Sequence, residues 1–363
     1  MLFGIQYQET LHMEAIVDGG FSYTEIPYEI IESGGLQTYK KNTDGNLNLQ
    51  MSGLICKLQG LTSNKLSQIL KVCKKYYGHY IVFSTMNCES GILERAIEDN
   101  VKMLVDCEVQ ILIENGCKGN DLVGYSHNVY SDVTEIMKIV DHCNRLCGKP
   151  MVRICYNIGY GNLLAKNIRS QLFQCRDFLG MVHVNDNGGV RNDKQMPYTF
   201  TRGRGNLATD WYHIVQELIR MDFQKWIIFD TTGLFGRCPE ILQTQFIRLL
   251  HAIADDWKWQ YMFEERVLNK PDKKLILFGA GQMLIDYMRV FGEKYPPYFV
   301  VDNGNKRWNT EVMGIPIKNP REILTLQEEE RNVVICCMYY DAVGEQLRKM
   351  GVKYEEFHDR YFV

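Results

Sequence analysis

The chain has 363 residues, 45% of them hydrophobic, which is enough for one large domain and a smaller one. A formal net charge of −3 and a pI near 6.3 point away from a nucleic-acid partner or a membrane surface. No run of about 18 apolar residues occurs to span a bilayer. The start, Met1-Leu2-Phe3-Gly4-Ile5-Gln6, has no positively charged leader and reads as a first strand rather than a signal peptide. Twelve cysteines are scattered along the chain without a C-x-x-C pair, so they read as reduced and mostly buried, in a cytoplasmic protein.

Up to about residue 255, short apolar runs alternate with longer helical patterns, the rhythm of a parallel sheet with helical crossovers. Eight strands are expected: 2–7, 22–27, 48–58, 80–86, 109–115, 151–157, 181–186 and 226–231. Helices fit between most of them. A serine opens 63–77 and Gly78 stops it, and 89–105 follows the fourth strand. Ser131-Asp132-Val133-Thr134-Glu135 caps a helix to Cys147, ahead of Gly148 and Pro150. Two more span 210–221 and 239–254. The connection 33–47 is polar and carries no clear element. Eight strands in some 255 residues fit a closed (β/α)8 barrel better than an open doubly wound sheet.

Composition then shifts. Asn269-Lys-Pro-Asp-Lys-Lys is a charged linker, and a new strand starts at Lys274-Leu-Ile-Leu-Phe278, followed by Gly279-Ala280-Gly281 and an amphipathic helix. Further strands are expected at 298–303, 332–337 and 354–357. The fold class is therefore α/β, a barrel over 1–268 followed by a small Rossmann-like parallel domain over 269–363. Trp257 and Trp259, read as exposed, point to packing between the domains or between copies in a homo-oligomer.

Four barrel strands end on groups able to hold a metal or a substrate oxygen: Glu114, Asn157, His183 with Asp186, and Asp230. Strand C-termini form the working rim of such a barrel, so these ends can share one site. Each has an ordinary structural reading too. Glu114 can pair with Arg153, His183 can be a satisfied core histidine, Asp230 can cap Thr231-Thr232-Gly233, and Asn157 can make an Asx turn before Gly159. Arg191, Arg202 and Arg204 either clamp an anionic substrate group or are solvated loop residues. Glu25, on the second strand, faces rim or core with nothing to decide which.

On Glu114 in Ile-Leu-Ile-Glu-Asn, Asn157 and Tyr160 in Cys-Tyr-Asn-Ile-Gly-Tyr-Gly, His183 and Asp186 in His-Val-Asn-Asp, Gly203-Arg204-Gly205 and Asp230, the barrel resembles the xylose isomerase-like superfamily. Within it, the chain is similar to the sugar-phosphate isomerase/epimerase and ketohexose 3-epimerase branch. The resemblance implies a divalent cation (Mn²⁺, Mg²⁺ or Co²⁺) on Glu114, Asn157, His183 and Asp230. Glu114 and Asp230 would also act as base and acid, and Tyr160, Asp186, Arg191 and Arg204 would meet a sugar substrate. A Lewis acid beside a positioned carboxylate is what proton removal next to a carbonyl needs.

Three positions depart from the family pattern: Asn157 replaces an Asp, Tyr160 a His and Asp230 a Glu. Ligand charge drops from three carboxylates to two, which weakens metal affinity. Two function classes follow. One is a carbohydrate isomerase or epimerase. The other is a non-catalytic sugar-binding or scaffold barrel in cell-surface polysaccharide or nucleotide-sugar metabolism. The abasic-site nuclease branch, with its three zinc ions, is set aside, because His12, His127, His142 and His213 do not fall at the strand ends.

Phe278-Gly279-Ala280-Gly281, Val301-Asp302-Asn303, Lys306-Arg307-Trp308, Gly314-Ile-Pro-Ile317 and Pro320 resemble the small Rossmann-like modules of bacterial sugar-modifying enzymes. That implies a nucleotide or nucleotide sugar, its phosphate at Gly279 and Gly281 and a ribose hydroxyl on Asp302. Leu284 stands where a third glycine would complete the fingerprint. A nucleotide site, an NAD site serving an oxidoreductase, and a structural or docking module all stay open.

Overall fold

A computed structural model describes residues 1–34, 49–200, 209–236 and 238–357. The expected connection 33–47 thus lies largely outside the described residues, as do Arg202, Gly203, Arg204 and Gly205. Two compact units form, Met1–Ala254 and Asp255–Val363, the division falling inside the helix Glu240–Phe263 rather than after residue 268.

The first unit is a closed barrel of eight parallel strands, β1 (Leu2–Gln6), β2 (Tyr23–Pro27), β3 (Gln50–Lys57), β4 (Tyr80–Ser84), β5 (Gln110–Glu114), β8 (Val152–Asn157), β9 (Leu179–Val184) and β10 (Trp226–Phe229). β10 closes on β1, pairing Leu2 with Trp226 and Ile5 with Phe229. All eight expected strands are present, because parallel strands buried on both faces read as continuous apolar runs. A small antiparallel hairpin, β6 (Lys118–Asn120) and β7 (Gly124–Ser126), was not anticipated, being too short and polar to leave a periodic signal.

Helices also follow expectation in part. Thr62 caps Ser63–Lys75, accepting from Lys65 N, and Asp132 caps Val133–Cys147, which ends on Gly148 at φ +68°. The single helix expected over 89–105 is instead two, Ile92–Glu98 and Val101–Cys107. The break is at Asn100, whose buried amide donates to Ala96 O (2.9 Å) and Ser63 O (3.0 Å), competing with the helical ladder.

Strand side chains alternate between faces, and this places the site. Tyr80, Val82, Leu112, Cys155, Met181 and Ile228 pack together inside the barrel with Ile55 and Trp226, forming an apolar floor. Two residues further along the same strands stand Glu114 after Leu112, Asn157 after Cys155, His183 after Met181 and Asp230 after Ile228. A polar layer on a dry floor is therefore built into the two-residue period.

The second unit holds a six-stranded sheet of β11 (Lys274–Phe278), β12 (Phe299–Val301), β13 (Thr310–Val312), β14 (Ile315–Lys318), β15 (Arg331–Ile335) and β16 (Glu355–Glu356), in the order β13-β14-β12-β11-β15-β16. The expectation of an all-parallel Rossmann-like sheet needs correction: the sheet is mixed. β13 runs antiparallel to β14 because Met313 and Gly314, at φ +52° and +77°, make a two-residue hairpin turn. Trp257, expected to be exposed, is 1% accessible, and Trp259 stacks on Phe263 at 5.0 Å within this unit. No helix of the described residues is long and apolar enough to cross a membrane.

Candidate functional site

At the C-terminal ends of the barrel strands His183 is fully buried between two glutamates. Its Nδ1 lies 2.7 Å from Glu114 Oε1 and its Nε2 3.2 Å from Glu25 Oε2. Both ring nitrogens face carboxylate oxygens, and a doubly protonated ring can donate to both. Burial opposes that charge, but Cys155, Glu25 and Glu114 outweigh it and push the imidazole well above its ordinary range. Of these three, the carboxylates matter near neutral pH, since burial pushes the Cys155 thiol itself up to about 12. Glu25 also accepts from Gln6 Nε2 at 2.9 Å, so β1 and β2 join the layer. Sequence reading left Glu25 without a direction. The clue available was a lone carboxylate in the buried run Tyr-Thr-Glu-Ile-Pro.

Glu114 is not paired with Arg153, which donates to Asp177 O instead. Its Oε1 also accepts from Asn157 Nδ2 at 2.9 Å. Burial raises the Glu114 carboxyl, and its bonds to His183 and Asn157 overcome this and hold it below the ordinary value. Asn157 is an N-cap as well. Its Oδ1 accepts from Tyr160 N (3.2 Å) and Asn185 Nδ2 (3.0 Å), starting the helix Ile158–Leu163. Gly159 is required there, because a Cβ would sit 1.8 Å from Asn185 Oδ1.

Asp230 closes β10, its N–H donating to Val184 O, and Lys194 reaches it: Nζ lies 2.7 Å from Oδ2. Among the described residues Lys194 is the group that meets Oδ2. Burial works against the Lys194 ammonium, yet Asp230, Tyr160 and Glu114 raise its pKa above the usual lysine value. Sequence reading missed Lys194, which sits in a polar loop among Arg191, Asn192 and Asp193 with nothing local to mark it.

Tyr160 is buried over Cys117 and Leu163, with its hydroxyl 3.8 Å from Met86 Sδ. Asp186 has all its acceptors engaged by its own chain: Oδ1 takes Asn187 N and Thr209 Oγ1, both at 2.9 Å, and Oδ2 takes Phe200 N (3.2 Å) and Trp211 Nε1 (3.4 Å). Arg191 is exposed near Asp121 and Asp193. Arg204 lies outside the described residues.

Glu114, Cys155 and His183 each bring one ligand atom within 4.8 Å of the others, a three-donor cluster of the kind that holds metals. The four-residue set implied by the resemblance is a poorer fit. Asn157 turns its N–H groups, not its oxygen, toward Glu114, and that oxygen already accepts two bonds. Asp230 carries an ammonium, and His183 directs Nδ1 at Glu114. A divalent ion at 114, 157, 183 and 230 would have to displace Lys194, turn Asn157 over and deprotonate His183.

No family model and no curated protein matches the sequence. Among solved structures the chain is similar to an L-ribulose 3-epimerase, at 12% identity over 75% of this chain and 100% of that one, TM-score 0.53. The IOLI protein with a binding zinc atom matches at 14% identity over 72% and 99%, TM-score 0.52. A D-psicose 3-epimerase from Clostridium cellulolyticum H10, with D-tagatose, matches at 15% over 70% and 99%, TM-score 0.50. What they share is the closed barrel. At these identities the likeness concerns fold, and chemistry must be read from this chain's own side chains.

Proposed function

We propose that the barrel mouth takes a small polyhydroxylated carbonyl compound of the sugar class and moves a proton at the carbon beside the carbonyl, as isomerases and epimerases do. The observation that carries this reading is the buried polar layer itself, in which Glu25, Glu114, His183, Asp230 and Lys194 gather above an apolar floor at the strand C-termini. Retaining so many buried ionisable groups in one place costs stability, and active sites are where such groups concentrate. Asp230 and Glu114 are the two proton carriers, Glu114 being kept ionised by His183 and Asn157. Tyr160 and Lys194 border the substrate. Asp186, with four donors from its own chain, positions the loop after β9 rather than meeting substrate.

The test is proton NMR of the protein with a panel of ketoses and aldoses in D₂O. Deuterium should enter beside the carbonyl, and Asp230→Asn should slow this at least about 100-fold. The second reading, a sugar-binding barrel without catalysis, is favoured by the intramolecular bonds that engage Glu114 Oε1 and the Asn157 amide. Saturable binding by calorimetry with no deuterium uptake would establish that reading instead.

For the second unit, the Gly279–Gly281 turn reads as structural. Asp302 Oδ2 accepts from Ala280 N (2.9 Å), its Oδ1 from Gly304 N (2.7 Å), and Arg307 donates to Ala280 O. These bonds tie both Asp302 oxygens to the turn itself. Absence of any fluorescence change on adding NADH or a uridine nucleotide sugar is the expected result.

A further inference from the structure

We infer that Lys194 is the resident cation of this barrel: its ammonium stands in the place of a divalent metal and meets the substrate's carbonyl oxygen, so that the site needs no metal ion. This rests on the proton-transfer reading above for its chemistry, though not for its geometry.

Four observations carry it. The first is position. Lys194 Nζ sits 2.7 Å from Asp230 Oδ2 and within the electrostatic reach of Glu114 and Tyr160, among three of the groups that the resemblance assigns to metal and substrate. The second is charge. The Lys194 ammonium lies directly against Asp230 Oδ2, the carboxylate that a divalent ion at this rim would need.

The third is the way the loop is held. Lys194 has φ +46°, a left-handed conformation that a lysine rarely adopts and that persists only where neighbours enforce it. Asp186 and Gln195 exchange backbone bonds of 2.8 and 2.9 Å just beyond it, and Asn192 N donates to Asp121 Oδ1 just before it. Gly233, after β10, lets the loop lie close, since a Cβ there would meet Asp193 O at 1.8 Å. A solvated loop lysine has no use for three such restraints. The fourth is access: Lys194 keeps 23% of its side chain exposed while Asp230 keeps 1% and His183 none, so of these three the lysine borders solvent.

In the reaction, a carboxylate takes the proton from the carbon beside the carbonyl. The C–H electron pair becomes the new C=C bond and the carbonyl π pair moves onto oxygen. The ammonium donates a hydrogen bond to that oxygen as its charge grows. Returning the proton to carbon reverses each electron shift, and no oxidant or reductant enters.

The experiment is a Co²⁺ titration of the full chain, followed by the visible absorption of the bound ion, comparing wild type with Lys194→Ala. The variant, relieved of the ammonium, should bind one Co²⁺ per chain at least tenfold more tightly than wild type. Equal affinity in the two proteins, or no site in either, overturns the proposal. Should Lys194→Ala lose its near-ultraviolet circular dichroism, Lys194→Gln, which keeps the stem, carries the same comparison. In the D₂O exchange assay, wild-type activity should survive exhaustive chelation, and Lys194→Met should lose at least 100-fold with partial rescue by Lys194→Arg. Loss of wild-type activity on chelation also overturns the proposal. Failure to find exchange with any sugar would count against the proposed function, while the Co²⁺ comparison would still decide the place of Lys194.

Discussion

His183 Nδ1 and Glu114 Oε1 lie 2.7 Å apart with neither side chain more than 2% exposed, a buried ion pair linking β9 to β5. Removing one partner of such a pair leaves an uncompensated charge, which typically costs about 3–5 kcal/mol. Glu114→Gln and His183→Asn should each lower urea stability by about that amount. The double variant should lose clearly less than the two together, and additive losses would deny the pairing.

Asp186 holds the loop that carries Lys194. Asp186→Ala orphans the N–H groups of Asn187 and Phe200 and the hydroxyl of Thr209, and should cost about 2–3 kcal/mol. Hydrogen exchange should speed up at the amides of Asn187 and Phe200 before it does in the strands. Unchanged protection at both amides would show that the carboxylate does not hold the loop.

Lys225, on the N-terminal side of β10, donates to Leu179 O at 2.7 Å. Burial, with a smaller push from Arg153, lowers its pKa from 10.5 to about 8. Below about pH 8 both folded and unfolded chains hold the proton, and the folded one bears the desolvation. Between about pH 8 and 10.5 the unfolded chain binds more protons, so this residue makes stability rise with pH. Lys225→Met should flatten that rise in chemical denaturation measured across the window.

The thiols of Cys73, Cys117, Cys143, Cys155 and Cys175 are pushed up to about 12 by burial, so at pH 8 roughly one in 10⁴ of each is thiolate. Alkylation of the native protein at that pH, mapped by mass spectrometry, should be confined to the half-buried Cys107, Cys147, Cys238 and Cys337. Rapid labelling of Cys155 would place solvent inside the barrel floor.

Much of the barrel could be read from residue order alone, because it depends on local alternation. Strands buried on both faces must be apolar along their length, and a polar group closing such a run must lie at its mouth. That logic puts Glu114, Asn157, His183 and Asp230 at the strand ends. It also offered an Asx turn as one reading of Asn157 and a cap within 131–135, which Asp132 makes, both from neighbours in sequence. The β13–β14 hairpin was missed even though Met313-Gly314 is a local turn, since both of its strands are too short to leave a periodic signal.

Lys194 and Glu25 could not be read in that way. Lys194 and Asp230 are 36 positions apart in sequence, and Glu25 and His183 are 158 apart. A lysine in a polar loop and a glutamate in a strand look the same locally whether solvated or buried. Sequence by itself determined the strands, their floor and the polar rim, since each follows from short-range alternation. Only the closed ring decided which charges face one another, because opposite charges find their partners through space and through the shape that excludes water between them.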